Sequence, residues 1–291
     1  MIKKLLAMSV ISVLTVFSVY AETTITTAGS STIKPIVDKA SAAFKQKNPD
    51  VKFVIGGGGS SHGVKAAGTG EVMIGQCSRE VYEKEKTAYP DLVDTKIALD
   101  GVAVIVNDKN PINNITKEQL CDIYTGKITN WKDVGGNDAP IEIISKEKGR
   151  STLDLFLEFC EMEAEEVGDG NLKEMVHKKK GDASFSTLKA KLIGPNLEAI
   201  GAVALKPNAI AYVSIGTALD VKTKGGKLKL LDLEGVVASL DNVANQTYPL
   251  RRPLNVVTKG QPAGAVKDFI DFILSEEGQK IVESLDFIRV K

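Results

Sequence analysis

Thr24-Ile25-Thr26-Thr27-Ala28-Gly29-Ser30-Ser31-Thr32-Ile33 is the stretch from which the rest of the chain can be read. Its first four residues suit a β-strand. From Ile33 the spacing changes: Ile33, Ile36, Val37, Ala40 and Phe44 fall on one face of a helix, with Pro35 tolerated in the first turn. Asn48-Pro49 stops that helix. Val51 to Ile55, rich in β-branched residues, follows as a second strand. After a glycine run and a second helical stretch, Val64 to Ala67, comes a third strand, Val72 to Ile74. Strand, helix, strand in this order implies a parallel α/β sheet.

Outward from there the alternation continues. Ile97 to Val106 is an apolar run broken only by Asp100-Gly101, too long for one ordinary buried strand. It reads as a segment passing from one domain into another, and Arg252 to Val257 is a second candidate crossing strand. Between them lie a helix from Ile115 to Tyr124 capped by Thr116, a strand from Ile141 to Ile144, a helix from Leu153 to Cys160 and a strand from Ile210 to Ile215. Val266 to Leu274 and Gly278 to Leu285 are amphipathic helices. Lys178-Lys179-Lys180 is expected in a solvated loop, with His177 exposed beside it.

The first residues set the expected compartment. Lys3 and Lys4 precede an apolar run from Leu5 to Val19, and Val19-Tyr20-Ala21 offers small residues at the positions a signal peptidase reads. Residues 1–21 are therefore expected to be a signal peptide cleaved after Ala21, giving a periplasmic protein. The chain has 37 basic and 37 acidic residues; the leader takes two lysines and no acid, so the mature chain carries net charge −2. Such a chain advertises neither nucleic acid nor an anionic membrane as a partner. Cys77, Cys121 and Cys160 form no CxxC pair, and His62 and His177 lie far apart, so no metal site is expected. An oxidising compartment permits one disulfide with one thiol left over, and three buried free thiols are the alternative. If a bond forms, Cys121 and Cys160 are the expected pair, because both follow the first crossing and lie on helices.

Three loops carry the chemistry. Ala28-Gly29-Ser30-Ser31-Thr32, Gly56 through Gly63 and Gly149-Arg150-Ser151-Thr152 each place glycine and hydroxyl residues between a strand and a helix. Free N–H groups at helix starts bind anions, and the aligned peptide dipoles add positive potential. Hydroxyls add donors without a buried charge. In open α/β sheets such loops lie at the carboxyl ends of strands. A single Ser or Thr before a helix is more often a plain N-cap; three such loops in one chain point to an anion. The glycine run lacks the Gly-Lys-Ser/Thr of a nucleotide loop and the third glycine of a dinucleotide fingerprint. Ser60, Ser61 and His62 form no GxSxG elbow, so no catalytic residue is assigned.

The chain resembles the periplasmic phosphate-binding proteins of phosphate ABC transporters. The matching runs are Ala28 to Thr32, Gly57 to Gly70, Ile74-Gly75 with Ser78-Arg79-Glu80, Thr116 to Gly136, Asn208 to Gly216 and Tyr248 to Gly278. The resemblance implies a type II periplasmic binding protein fold: two doubly wound α/β domains joined by two crossing hinge strands, with the anion in the cleft. The expected domains are residues 22–103 with 245–291, and residues 104–244. It implies a monomer without cofactor that captures inorganic phosphate and delivers it to a membrane permease. The expected anion-binding residues are Ser30, Ser31, Thr32, Ser60, Ser61, Arg150, Ser151 and Thr152.

Two departures from the family pattern matter. A carboxylate usually precedes the Ile-Gly pair of the third strand; here it is Met73, with Glu71 two residues earlier on the same strand face. The third loop commonly begins with Arg; here Lys146 stands there and Arg150 follows. Lys146, Met73 and Glu71 are therefore further candidates for the recognition shell. Sulfate or another tetrahedral oxyanion is the alternative ligand, and a secreted phosphoesterase the alternative from another class. Trp131 is expected as a packing anchor, and Arg79 as the partner of a nearby acid.

Overall fold

A computed structural model describes residues 23–290. The expected signal peptide and its cleavage point lie outside the described residues. Strands β1 (Thr23–Gly29), β2 (Val51–Gly58), β3 (Ile74–Cys77) and β4 (Leu92–Asn107) belong to the first part of the chain. The short β5 (Asn114–Ile115) is followed by β6 (Glu142–Ser145), β7 (Met162–Val167), β8 (Glu174–Lys179), β9 (Ala190–Leu192), β10 (Ala209–Ser214), β11 (Leu228–Leu230) and β12 (Asp232–Leu233). The last strand is β13 (Arg251–Lys259). The helices are α1 (Lys34–Lys47), α2 (Ser60–Thr69), α3 (Glu83–Ala88), α4 (Lys117–Tyr124), α5 (Ser151–Phe159) and α6 (Asn196–Leu205). They continue with α7 (Ile215–Thr223), α8 (Leu240–Ala244), α9 (Gly264–Leu274) and α10 (Glu276–Glu283).

One sheet runs through the molecule in the order β2-β1-β3-β13-β4-β10-β6-β9-β8-β7, with β11 also on β4. The first three strands are parallel, as strand–helix–strand units require. At the centre β4 and β13 run antiparallel, with Arg252 paired opposite Asp100. The core divides at these two strands. Ile97, Ala98 and Leu254 pack with Ile25, Ile36 and Phe269 in one cluster, whereas Val102 to Val106 and Leu250 pack with Tyr124, Phe156 and Tyr212 in another. The chain thus passes between cores at residues 98–102 and again at 250–254. The 16-residue β4 exceeds an ordinary strand because it serves both cores.

Local signals account for the helices that frame the cleft. Pro35 sits in the first turn of α1 and Lys45 and Lys47 in its last turn, where they complement the helix dipole. Thr116 and Gln119 form a reciprocal capping box on α4. Trp131 is buried, its indole donating to the carbonyl of Asn208 at 2.9 Å. The bond between Cys121 on α4 and Cys160 at the end of α5 is formed, with Cα atoms 5.5 Å apart, and Cys77 is a buried free thiol.

Three expectations need correction. The third strand runs Ile74–Cys77 rather than Val72 to Ile74. Lys178 and Lys179 lie in β8, not in a loop. The hairpin with β7 places Lys178 opposite Glu163, and the two charges meet at 3.2 Å. Acid-rich β7 and lysine-rich β8 stabilise each other across the ladder, a pairing invisible to either segment alone. His177 is buried, not exposed; its Nε2 meets Ser145 Oγ at 3.2 Å. Burial pushes its pKa down to about 4.

Candidate functional site

Four helix starts converge at the carboxyl ends of the strands beside the β4–β13 crossing. Ser30, Ser31 and Thr32 precede α1, Gly59 and Ser60 open α2, Arg150, Ser151 and Thr152 open α5, and Gly194 and Asn196 open α6. With Ser78 at the end of β3 they line one pocket of about 210 Å³, its open mouth included. Helix starts present N–H groups with no partner inside the helix, so all four direct donors and positive dipole ends into one small space.

The hydroxyls form a continuous network. Ser78 Oγ accepts from Ser30 Oγ at 2.8 Å and meets Ser151 Oγ at 2.6 Å and Ser60 Oγ at 3.3 Å. Ser60 Oγ also accepts the Ser78 amide at 3.0 Å, and Ser30 Oγ accepts the Thr32 amide at 3.1 Å. Asn196 donates to Thr32 Oγ1 at 3.0 Å. Each hydroxyl can rotate between donor and acceptor, so the ring adapts to whatever oxygen faces it.

The cation of the site is Arg252. Its guanidinium is almost completely buried, beside a fully buried Asp100, with Nη2 and Nε at 2.9 and 3.2 Å from Asp100 Oδ2. The remaining donors face the pocket residues: Nη1 reaches Thr152 Oγ1 at 3.0 Å and Ser151 Oγ at 3.3 Å, and Nη2 reaches Thr32 Oγ1 at 3.1 Å. A planar fork held by a carboxylate on one edge offers a fixed set of charge-assisted donors on the other.

Two glycines set the approach of α2. Gly59 has φ 88° before the helix, and a Cβ there would stand 2.8 Å from the carbonyl oxygen of Gly149. At Gly63 a Cβ would meet the carbonyl oxygens of Gln76 and Ala28 at 2.6 and 2.9 Å. The helix can therefore lie against β1 and β3 closely enough to bring Ser60 into the pocket.

Of the residues anticipated from sequence, Ser30, Ser31, Thr32, Ser60, Arg150, Ser151 and Thr152 line this pocket. Ser61 does not: its hydroxyl accepts from Arg79 Nη2 at 3.1 Å and its amide donates to Gly149 at 3.1 Å. Arg150 lines the pocket but spends Nη2 and Nε on Glu147, at 2.7 and 3.1 Å. Lys146 is buried behind the pocket, its ammonium donating to the carbonyls of Gly194 and Pro195 at 3.3 and 3.2 Å. Burial, reinforced by Arg150 and Arg252, brings its pKa down to about 7. Met73 is 46% exposed and Glu71 is also exposed; neither lines the pocket. The reason is polarity along β3: residues 71–73 precede its amino end, whereas ligand sites lie at carboxyl ends, where Ser78 stands. Ser78, Asn196, Asp100 and Arg252 were missed. For Asp100 the available signal was a charge interrupting the apolar run from Ile97 to Val106; Arg252, at the start of its strand beside Arg251, carried no comparable mark.

Comparison with known proteins gives the family. Residues 20–277 match the PBP superfamily domain. The phosphate-binding protein PstS of Bacillus subtilis is 30% identical over 262 residues, covering 90% of this chain and 79% of the relative. The chain belongs to the phosphate-binding protein family of the PBP superfamily. Another member of this family, PstS of Borreliella burgdorferi, is 28% identical over 271 residues, covering 93% and 91%. Among solved structures, a phosphate ABC transporter substrate-binding protein from Clostridium perfringens, with bound phosphate, superposes with TM-score 0.79. It is 36% identical and covers 92% of this chain and 100% of its own. A phosphate transport receptor from Vibrio cholerae gives TM-score 0.65 at 28% identity, covering 91% and 99%. Among the described residues of this family member no helix is long and apolar enough to cross a membrane. No cluster of three or more His, Cys, Asp or Glu side chains suited to a metal occurs among them either.

Proposed function

We propose that this chain captures inorganic phosphate in the pocket between its two lobes and delivers it to an ABC permease. The observation that carries this reading is the buried Arg252 guanidinium, fixed by Asp100 and bonded to Thr32, Ser151 and Thr152. A divalent oxyanion needs a cation that does not have to be ordered on binding, surrounded by donors, and this shell supplies both. Ser30, Ser31, Thr32, Ser60, Ser78, Ser151, Thr152 and Asn196 bind the anion's oxygens, and Arg252 balances its charge. The lobes, residues 22–103 with 245–291 and residues 104–244, close on it by bending near Asp100–Val102 and Leu250–Arg252. The protein works as a secreted monomer after removal of residues 1–21, without catalysis and without nucleic acid.

Calorimetry of the mature chain with phosphate, arsenate and sulfate tests this. One phosphate per chain is expected. Absence of heat and of any thermal shift with all three anions would end the anion-binding reading.

A further inference from the structure

Two kinds of contact cross the cleft. One kind runs through the pocket itself, such as Ser78 to Ser151 and Asn196 to Thr32. The other lies outside it and involves no residue that lines it. Arg79, just after β3 in the first lobe, faces Asp154 in the opening turn of α5 in the second, with Nε and Oδ2 3.3 Å apart.

Arg79 is rigidly presented by its own lobe. Nη1 donates to Glu85 at 2.8 Å and to the carbonyl of Glu80 at 2.9 Å. Nη2 donates to Glu85 at 2.7 Å and to Ser61 at 3.1 Å, and the guanidinium lies 3.8 Å from the Tyr82 ring centre. The edge left over points at Asp154. Arg79 Nε and Asp154 Oδ2 are both buried and form no well-aligned hydrogen bond, so the contact between them is chiefly one of charge, and the Tyr82 hydroxyl of the first lobe reaches the same carboxyl. Because the fork is already ordered, closing the lobes costs little side-chain freedom. Burial pushes the Asp154 carboxyl above the usual range, opposing the attraction. The pair therefore biases closure without making it irreversible. The nearby Ser61 amide to Gly149 carbonyl bond, at 3.1 Å, crosses the same seam.

We propose that Arg79 and Asp154 form an inter-lobe clasp that favours the closed form with or without the anion and sets how fast the anion leaves. The part concerning release rests on the phosphate reading above. The mature wild-type protein, Asp154→Asn and Asp154→Ala are compared by two readouts. Spin-label distances across the cleft, measured without phosphate, should contain a short, closed population in wild type that shrinks in both variants. Stopped-flow phosphate release should be about tenfold faster in both, the scale of one partly buried charge contact, with association within about twofold. Asp154→Glu should restore much of the slow release. Identical distance distributions in all proteins, or release unchanged in both variants, would overturn the clasp. If wild type bound no phosphate, the reading of the pocket would fail while the distances still decided whether the clasp exists.

Discussion

Arg252 and Asp100 stand opposite each other on the two strands that cross between the lobes, and their side chains form a buried ion pair at 2.9 Å. Asp100 is fully buried, with Arg252 as its ion-pair partner. Removing Arg252 alone strands a buried carboxylate, and breaking such a pair costs roughly 3–5 kcal/mol. Arg252→Gln should lower the urea midpoint substantially, and adding Asp100→Asn should recover most of the loss. A single variant as stable as wild type would mean that the pair is hydrated in solution.

His177 gives the second lobe a predictable acid sensitivity. Its pKa is about 4 when folded, against 6.5 for an ordinary histidine. Below pH 6.5 the unfolded chain takes up a proton that the native imidazole refuses until about pH 4. Stability is therefore full above pH 6.5 and declines as pH falls through that window, by roughly 3 kcal/mol from this residue. His177→Gln should flatten the decline. Denaturation at several pH values checks this, and parallel curves for the two proteins would refute it.

Much of the fold was legible because the signals were local. The hydroxyl loops, the helix spacing after Ser30 and the apolar run ending at Val106 each encode their structure within a dozen residues. What stayed hidden depends on pairing across long separations. Arg252 finds Asp100 and Thr32 only once β13 lies against β4. Asn196 reaches the pocket through an α6 start without a side-chain cap, in a loop with none of the hydroxyls that marked the other three. Met73 stands before the amino end of β3, and a run of matching residues does not by itself show which end of a strand faces the ligand.

Gly63 should be intolerant of alanine despite lying in a helix. In an open helix Gly→Ala gains about 1 kcal/mol. Here the new methyl would press on two carbonyl oxygens of the sheet, an overpacking that costs about 1–3 kcal/mol. Gly63→Ala should both lower the melting temperature and weaken phosphate binding by displacing Ser60. Unchanged stability with unchanged affinity would show that α2 does not need this approach.

The Cys121–Cys160 bond ties α4 to the end of α5. Its loss should cost ~2–5 kcal/mol. Cys77, with its pKa raised to about 11 by burial, should resist alkylation in the native protein. Intact mass and urea midpoints with and without reductant check both statements. Three thiols reactive before reduction, or equal midpoints, would contradict them.

The most direct measurement is calorimetric titration of phosphate into wild type and into the charge-compensated variant Arg252→Gln/Asp100→Asn. The double variant keeps the polar shape of the pair but removes the positive charge that faces the pocket. Wild type should bind one phosphate per chain, and the folded double variant should bind at least about a hundredfold more weakly, as loss of charge-assisted hydrogen bonds implies. Equal affinity in the two proteins, or no binding by wild type, would contradict Arg252 as the anion's charge partner.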